Sequence, residues 1–500
     1  MLKNIKLATK DTFIYSLGNI STKIIGLILL PLYTEKLPVA DYGILGTVEI
    51  TIQILIAAFS LSLSQGLNRW YWDKKYRNKQ KSIFFTTQAT LFLGSLVMLL
   101  LLLPFTDTFS QALLYSKEYT YIITLLLISA ALQIQARNVL SLMRLQRKPL
   151  LFSVTNIIKL LITLGLTIYF IVGLKRGIEG ILEAQIIGFI LFIMINIKFI
   201  INNSTPVFER SILKEMIVFS YPLAISAVSG TLLTVTDRYA VTHIKGLSEM
   251  GLYTLAFKIA NALKIFIINS LASALMPLKF QMMDKPDSKR FYSKIMTYTA
   301  FGFILLLLIL SLFSQEVIKV VAQKSAYWSA YQLVPILCFA QLFELLRRNA
   351  NFGLIIEKKT KIISSLMIFV SILNIGINIL LVSYFGTFGG ATATLLTQIL
   401  FFIFIYHFAQ KHYPISYEIK KIMLMTLLAG AIVIVSFLFV NSMELFPRLM
   451  IKLLLIIIFP LLLYFLRFYD PIEIERLKGA WNKWKNPKHW KNNLSQIKIK

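Results

Sequence analysis

The chain lacks most of the residue patterns that mark an enzyme active site or a disulfide-bonded domain. Cys338 is the one cysteine among 500 residues, which excludes a disulfide framework and a cysteine metal site. The sequence contains no GxxxxGKS/T, HExxH or CxxC motif, and its 4 histidines are scattered. These absences exclude a P-loop nucleotide-hydrolysing site and an HExxH zinc site within this chain.

Charge is also scarce, and most of it has one sign. Charged residues make up 15% of the chain, whereas a soluble protein holds about a quarter, and hydrophobic residues make up 57%. Together with a mean hydropathy of +0.71, this composition indicates an integral membrane protein. The net charge of +29 lies mostly in short loops and in one tail. That distribution follows the positive-inside rule and argues against a nucleic acid partner.

Long apolar runs predict an all-α integral membrane protein with about fourteen transmembrane helices. Each run is long enough to cross about 30 Å of hydrocarbon. The loops between the runs are short, which leaves no extramembrane domain for a separate catalytic site. The predicted spans are 12–34, 42–65, 83–104, 118–142, 150–173, 178–201, 213–238, 249–276, 294–314, 328–356, 362–384, 388–409, 418–440 and 447–468.

The distribution of Lys and Arg predicts how the chain is oriented in the bilayer. Most cations lie before the first span, after the even-numbered spans and in the C-terminal tail, as in the loop at 69–77. The loops at 104–117 and 384–388 hold few. The positive-inside rule therefore predicts cytoplasmic termini in a bacterial inner membrane. The first apolar run has no small-residue cleavage site, so we interpret it as a retained span rather than a signal peptide.

A weak internal repeat divides the predicted helices into two lobes. Three elements recur at offsets of 206, 208 and 209 residues: Tyr15 and Tyr221, Asp41-Tyr42-Gly43 and Glu249-Met250-Gly251, and Gly177/Gly180 and Gly386/Gly389. An offset that spans six helices relates two six-helix lobes by a pseudo-two-fold axis along the membrane normal. The predicted units are an N-lobe (1–201), a cytoplasmic linker (202–212), a C-lobe (213–410), two extra helices (411–468) and a basic, Trp-containing cytoplasmic tail (469–500).

Polar residues at helical spacing inside four spans predict a solvated cavity between the lobes. Lys264 lies about 20 Å from either end of its predicted helix, too deep to reach water from an edge. A central lysine costs at least about 2.5–3.5 kcal/mol on insertion, so it faces protein or a wet cavity. The residues predicted to bind substrate there are Asn19, Lys23, Arg238, Lys258, Asn261 and Lys264. Glu49 and Asp237 are predicted to couple to an ion or to balance charge.

The buried lysines have two interpretations. In the first, each lysine pairs with a neighbouring acid and only supports packing. In the second, they line a cationic, water-filled pathway for an anionic substrate, because an excess of deep positive charge suits phosphate better than a cationic drug. We take the second as the working hypothesis, and it requires no metal and no cofactor.

Other charges inside the spans are weaker candidates for the same pathway. The secondary candidates are Arg137, Lys159 and Arg347. Glu344 and Arg348 lie at i, i+4 spacing and are predicted to pair with each other. Lys159 is predicted either to line the route or to pair with Glu183 on the next span.

The last two predicted spans differ from the others because they are almost entirely apolar. Lys452 is their single deep ionisable group, so we expect them to face lipid or hold an apolar group. In the tail, Leu477, Trp481 and Trp484 lie at helical spacing among lysines. This pattern predicts a short interfacial helix on an anionic leaflet. A disordered basic tail is the alternative.

The region around the seventh and eighth spans carries a family resemblance. Asp237-Arg238, then Gly251-x-Tyr253-x-x-Ala256-x-Lys258 and Pro277, resemble the pattern of flippases for polysaccharide repeat units. These are the O-antigen and capsule transporters of the multidrug/oligosaccharidyl-lipid/polysaccharide exporter superfamily. The residues 31–43 and the two glycine elements are similar to theirs as well, and the resemblance covers about residues 5–468.

The resemblance implies a V-shaped pair of lobes that moves undecaprenyl-diphosphate-linked oligosaccharide from the inner to the outer leaflet by alternating access. It implies that the cationic cavity holds the diphosphate and sugars, and that spans 13 and 14 accommodate the lipid tail. Asp237, Arg238 and Lys258 match motif residues, whereas Lys23 and Lys264 rest on the depth argument alone. Expected partners are the lipid-linked substrate, membrane lipids, a coupling cation (H+ or Na+) and a polysaccharide polymerase.

Three alternatives remain open from the sequence. A peptidoglycan-precursor (lipid II) flippase of the same superfamily is the nearest. A multidrug and toxin extrusion antiporter usually has twelve spans and an acid-lined pocket, so the deep cations count against it. A membrane polymerase or glycosyltransferase is expected to have a long outer loop or an acid-rich inner domain, and neither is present. The sequence therefore favours a transporter rather than an enzyme.

Overall fold

The computed structural model describes residues 26–283 and 285–475, and this part of the chain consists of helices and turns without a β-strand. Its α-helices, in chain order, are α1 (Leu30–Lys36), α2 (Val39–Phe59), α3 (Leu63–Trp70), α4 (Gln80–Leu102), α5 (Thr106–Leu114), α6 (Thr120–Leu145), α7 (Pro149–Ile168), α8 (Gly177–Ile195), α9 (Ile197–Asn202), α10 (Arg210–Lys245), α11 (Leu247–Leu263), α12 (Asn269–Gln281), α13 (Ser288–Leu312), α14 (Ser314–Val321), α15 (Val334–Ala350), α16 (Phe352–Ile356), α17 (Thr360–His412), α18 (Ile419–Val435) and α19 (Leu445–Phe465).

Short 3-10 or π turns extend several of these helices. The 3-10 segments are Lys74–Lys79, Leu103–Phe105, Lys117–Tyr119 and Ser325–Gln332, and the π turns are Tyr169–Gly173, Lys264–Ile268 and Ser436–Val440. A π turn inserts one residue into the helical ladder and redirects the side chains that follow it. The turn at Lys264–Ile268 lies in the middle of the predicted eighth span, and its first residue is the candidate Lys264.

The number of spans agrees with the expectation from the apolar runs. In the described part, 11 helices are long and apolar enough to cross a membrane, and 12 if Ser325–Gln332 and Val334–Ile356, bent by 43°, count as one span. The long helix α17 consists of two spans, which raises the count from twelve to thirteen. The first predicted span lies mainly at residues 12–25, outside the described ranges, and it would bring the total to fourteen.

The helix α17 is a hairpin rather than one continuous rod. Its 53 residues would measure about 80 Å as a straight helix, more than twice the hydrocarbon thickness. Asn374 Nδ2 instead donates to Thr397 Oγ1 at 2.9 Å, although 23 residues separate them. The chain reverses at Gly386, whose φ of 59° and ψ of −135° favour glycine. The predicted break between the eleventh and twelfth spans is therefore confirmed.

The two halves meet where α2 packs against α11. A side chain at Gly43 would overlap the carbonyl oxygen of Leu247, and one at Gly251 would overlap the carbonyl oxygen of Val39. Gly43 and Gly251 are equivalent positions in the sequence repeat, and each contacts the residue four positions before the other. Two-fold related halves produce such a reciprocal contact. Glycine is required here because no other residue allows the backbones to come this close.

Hydrogen bonds between the halves continue at the same end of the bundle. Thr34 Oγ1 donates to Val321 O at 2.9 Å, and Tyr327 OH donates to Pro38 O at 3.1 Å. Nearby, Tyr115 OH lies 2.9 Å from His243 Nδ1. In the orientation predicted by the cation distribution, this end faces outward. The halves are therefore packed together at the predicted outer end.

The final pair, α18 and α19, is tied to the second half by charge as well as by apolar packing. Lys452 Nζ lies 2.9 Å from both Glu316 oxygens, and Arg448 Nε lies 2.8 Å from Glu316 Oε1. Arg448, one turn nearer the end of the predicted span, is buried beside Lys452. The rest of the pair presents large apolar side chains outward, such as Phe439 and Phe465. The predicted interfacial helix of the tail lies outside the described residues.

Candidate functional site

A cavity of about 660 Å³ lies between the two halves. Its first wall comes from α6, α7 and α8, and its second wall from α10, α11 and the π turn that follows α11, with α2 between them. The lining side chains include Tyr33, Glu49, Gln53, Gln133, Arg137, Phe152, Asn156, Lys159, Thr163, Thr167, Gln185, Phe189, Thr234, Arg238, Phe257, Lys258, Asn261, Lys264 and Asn269. A volume in this range is typical of small-molecule and headgroup sites.

The charge of the lining is mainly positive. Five cationic side chains reach the cavity, namely Arg137, Lys159, Arg238, Lys258 and Lys264. Glu49 is the one carboxylate among the lining residues of the described ranges. Most of the residues predicted from helical spacing are therefore brought together, although their role in substrate binding stays a prediction.

Lys258 forms an ion pair that joins the two halves. It extends from α11, where Thr254 one turn earlier packs directly against Gly46 of α2. This close approach brings Lys258 Nζ within 2.9 Å of Glu49 Oε1. The ammonium also lies 5.2 Å from the centre of the Tyr42 ring.

Lys264 is also paired with a carboxylate, in this case within the second half. It is the first residue of the π turn, and its Nζ lies 2.8 Å from Glu344 Oε2 of α15. The other oxygen of Glu344 accepts from Arg348 at 2.6 Å. The predicted pair of Glu344 and Arg348 is therefore present, while Lys264 as a second partner was not expected.

The two interpretations of the buried lysines are thus not exclusive. Lys258 and Lys264 each have a carboxylate partner, as the packing interpretation required, yet both also line one cavity. The excess positive charge of the cavity comes mainly from residues that were only secondary candidates.

Arg137 on α6 and Lys159 on α7 contribute most of this excess positive charge. Within the described ranges, neither side chain has a carboxylate within ion-pair distance. Lys159 Nζ instead lies 4.3 Å from the centre of the Phe189 ring. Glu183, the predicted alternative partner of Lys159, pairs with Arg176 at 2.8 Å. Lys159 therefore lines the cavity and does not pair with Glu183, and its part in a substrate route stays a prediction.

Asp237 and Arg238 are adjacent but have different surroundings. Asp237 does not line the cavity: its Oδ2 accepts from Tyr253 OH at 2.7 Å and from Thr394 Oγ1 at 3.0 Å. Arg238 lines the cavity, with its guanidinium carbon 4.2 Å from the centre of the Phe257 ring. Its Nη2 donates to Thr234 O at 2.7 Å. Hydrogen bonds hold the Asp237 carboxylate against α11 and α17, away from the cavity, and its Oδ1 lies 3.9 Å from Arg238 Nε. Of its two predicted roles, this position fits charge balance rather than ion coupling.

The remaining candidates divide between the cavity, the core and the undescribed segment. Asn261 lines the cavity one turn from Lys258. Arg347 does not, because its guanidinium packs 4.3 Å from the centre of the Phe401 ring in the core of the second half. Its assignment as a secondary substrate residue is therefore not supported by its position. Asn19 and Lys23 lie outside the described residues.

Several lining residues were missed by the sequence analysis. Thr163 and Thr167 follow Asn156 and Lys159 on one face of α7, so the helical spacing carried a signal that was not used. Tyr33, Phe189 and Phe257 also reach the cavity. Aromatic residues are common in apolar spans, and nothing in their spacing separates these three from residues that face lipid.

The arrangement can bind an anion and neutral polar groups. Arginine and lysine donate charge-assisted hydrogen bonds to phosphate oxygens, and the amides and threonines of the lining can pair with hydroxyl groups. In the described ranges, no group of three or more His, Cys, Asp or Glu side chains is placed to hold a metal ion.

Solved structures with a similar fold are membrane transporters. The chain superposes on a lipid II flippase, MurJ in an inward closed conformation, with a TM-score of 0.72, covering 90% of this chain and 99% of that one at 18% identity. It also superposes on a MATE transporter in the straight conformation with a TM-score of 0.58, covering 81% and 95% at 15% identity. At these identities the similarity establishes the fold alone.

Relatives by sequence come from Haemophilus influenzae. An uncharacterized membrane protein is 22% identical over 56% of this chain and 67% of its own length. The Lsg locus putative protein 1 is 21% identical over 59% of this chain and 71% of its own length. A model of the family described as polysaccharide biosynthesis protein matches residues 8–283, more than half of the chain. The chain therefore belongs to the polysaccharide biosynthesis protein family.

Proposed function

We propose that the protein is a non-enzymatic flippase that moves undecaprenyl-diphosphate-linked oligosaccharide from the inner to the outer leaflet by alternating access. The substrate would be an O-antigen, capsule or exopolysaccharide repeat unit. The observation that carries this proposal is the cavity between the halves, where five cationic side chains and one carboxylate line about 660 Å³. The membership in a polysaccharide biosynthesis family supports it.

The sign of the charge favours a diphosphate over a cationic solute. Cations inside a membrane bundle are costly, and they pair with acids, face a wet cavity or serve an ion or substrate pathway. Even with Glu344 counted as a second carboxylate beside Lys264, positive charge remains in excess. A cationic drug would be repelled, whereas a diphosphate would be stabilised by charge-assisted hydrogen bonds.

The neutral lining and the lipid-facing surface suit the rest of such a substrate. Gln53, Gln133, Gln185 and Asn261 offer amide donors and acceptors for sugar hydroxyl groups. The lipid tail would remain in the bilayer along the apolar exterior of α18 and α19. The division into lobes 1–201 and 213–410 and the extra helices 411–468 is part of the same proposal.

The proposal includes an energy source and partners. Glu49 is the carboxylate in the cavity, so it is the group we assign to coupling with H+ or Na+, and Asp237 is better explained as a structural residue. The protein would act in a bacterial inner membrane with both termini cytoplasmic, and it would deliver its product to a polysaccharide polymerase.

The rivals predict different phenotypes. A lipid II flippase would be needed for growth, whereas a flippase for surface glycan would be needed only for that glycan. A multidrug antiporter would confer resistance and would prefer cations, which the positive lining disfavours.

The proposal is tested by deleting the gene in the native host and restoring it with wild type or with E49Q/K258Q. The two partners are replaced together, so that neither is left as an unpaired charge. We expect the deletion and the double variant to lose surface polysaccharide and accumulate the lipid-linked precursor, while the protein remains in the membrane. K361Q, which removes an exposed lysine away from the cavity, is the matched control and should restore export. Normal surface polysaccharide in the deletion strain would contradict the proposal.

A further inference from the structure

The first wall of the cavity carries two cations whose charge is not balanced. We define the first wall by Gln133 and Arg137 of α6, Asn156 and Lys159 of α7, and Gln185 and Phe189 of α8. No carboxylate lies within ion-pair distance of either cation in the part of the chain that the structure describes. Their like charges add to the positive potential of this wall.

The second wall has a different electrostatic state. Glu49 holds Lys258 at 2.9 Å, Glu344 holds Lys264 at 2.8 Å, and Asp237 Oδ1 lies 3.9 Å from Arg238 Nε. An anion that binds either lysine must weaken an existing ion pair and leave a carboxylate nearby, which repels it. An anion that binds the first wall breaks no ion pair among the described residues.

We propose that the diphosphate of the substrate binds Arg137 and Lys159 on the first wall, rather than Lys258 and Lys264. The inference rests on the proposed function, because it assigns the place of the diphosphate within the same cavity. It also reverses the ranking expected from the sequence, which favoured the deep lysines of the eighth span.

The chemistry of the two side chains suits a diphosphate. The guanidinium of Arg137 offers a planar fork of N–H donors that matches two phosphate oxygens, and the ammonium of Lys159 offers three more. The ammonium of Lys159 also lies at cation–π distance from the Phe189 ring, 4.3 Å from its centre. The side-chain amides of Gln133 and Gln185 on the same wall can form hydrogen bonds with sugar hydroxyl groups.

The inference is tested by binding farnesyl diphosphate to the purified full-length protein in detergent, with farnesol as the uncharged reference. R137Q, K159Q and K264Q each remove one positive charge from the same cavity, so they are matched in net charge. We expect R137Q and K159Q to weaken binding by about tenfold each, the usual worth of a charged hydrogen bond. K264Q should change it by less than about threefold, because Glu344 keeps Arg348 as its partner. K159R should retain most of the affinity, whereas R137K, which keeps the charge but loses the planar fork, should retain only part of it.

Melting temperatures confirm that each variant is folded, and removal of an unpaired cation leaves no carboxylate without a partner. If K264Q weakens binding as much as R137Q and K159Q do, the first-wall assignment is overturned while the flippase proposal stands. If the wild type binds farnesyl diphosphate no better than farnesol, both proposals fail. Displacement of farnesyl diphosphate by equimolar phosphatidylglycerol would assign the wall to a lipid phosphate and would also overturn the inference.

Discussion

Two groups of charged residues inside the bundle resemble each other in composition and differ in access. At the cavity, Lys258 and Glu49 lie 2.9 Å apart, with 16% and 31% of their side chains exposed. In the Glu316 cluster, which we define as Glu316, Arg448 and Lys452, the lysine side chain is 0% exposed and the arginine 9% exposed. Both groups place a carboxylate against a cation within 3 Å.

A buried cation is therefore not by itself a sign of transport. Glu316 pairs with two largely buried cations and fastens α19 to α14, so its charges serve packing. The cavity residues have a similar pairing distance, but a ligand can reach them. What separates the cavity from a structural ion cluster is therefore access.

Removing Glu316 should have the largest effect on stability, and it tests whether the Glu316 cluster serves packing alone. E316Q leaves Arg448 and Lys452 buried without a carboxylate, a change that costs about 3–5 kcal/mol in other buried pairs. We expect a large fall in the melting temperature of the purified protein, measured by intrinsic tryptophan fluorescence. Transport per folded molecule should be unchanged.

The matched control replaces the whole Glu316 cluster by apolar residues. E316L/R448M/K452M removes all three charges at similar volume, which is often neutral or stabilising. If this triple variant is as unstable as E316Q, an unpaired charge is not the cause of the loss. If E316Q instead loses transport while its melting temperature is unchanged, the Glu316 cluster does not serve packing alone.

Asp237 and Arg238 provide the same comparison within two adjacent residues. D237N weakens the hydrogen bonds from Tyr253 and Thr394, each worth about 1–3 kcal/mol when the acceptor is charged. We expect D237N to lower the melting temperature moderately and to keep transport. R238Q removes a cavity charge, so it should lower transport more than stability. A folded D237N protein without transport would restore the coupling role predicted from the sequence.

The sequence was sufficient for the fold because the bilayer limits the choices strongly. Apolar length predicted the spans, and the low-charge loop at 384–388 predicted the reversal that the structure shows at Gly386. Helical spacing also predicted that Lys258, Asn261 and Lys264 share one face, since residues three or four positions apart lie side by side. All three line the cavity.

The pairing of charges could not be predicted in the same way. Helical spacing gives the face of each residue, but not which helix that face meets. Lys264 and Glu344 are 80 positions apart, and their contact depends on how α15 packs against the π turn. Arg137 and Lys159 were recognised as polar positions, yet the absence of a carboxylate beside them in the described chain is a tertiary property. The ranking of candidates therefore required the structure.

An ion pair in a loop should have the smallest effect on stability. Lys79 Nζ lies 2.8 Å from Glu209 Oε2, between the first half and the start of α10, where bulk water reaches the lysine. The hydrogen bond from Lys79 lowers the pKa of Glu209 below its usual value, so the carboxylate stabilises the fold above its unfolded pKa and loses this contribution as the pH falls. E209Q should cost about 0.2–1 kcal/mol at neutral pH, since solvent screens such a pair. Its melting temperature should approach that of the wild type below about pH 4, where unfolded Glu209 binds a proton. A loss as large as that of E316Q would mean that exposure to water does not govern the energy of these pairs, and the contrast between open and closed sites would lose its physical basis.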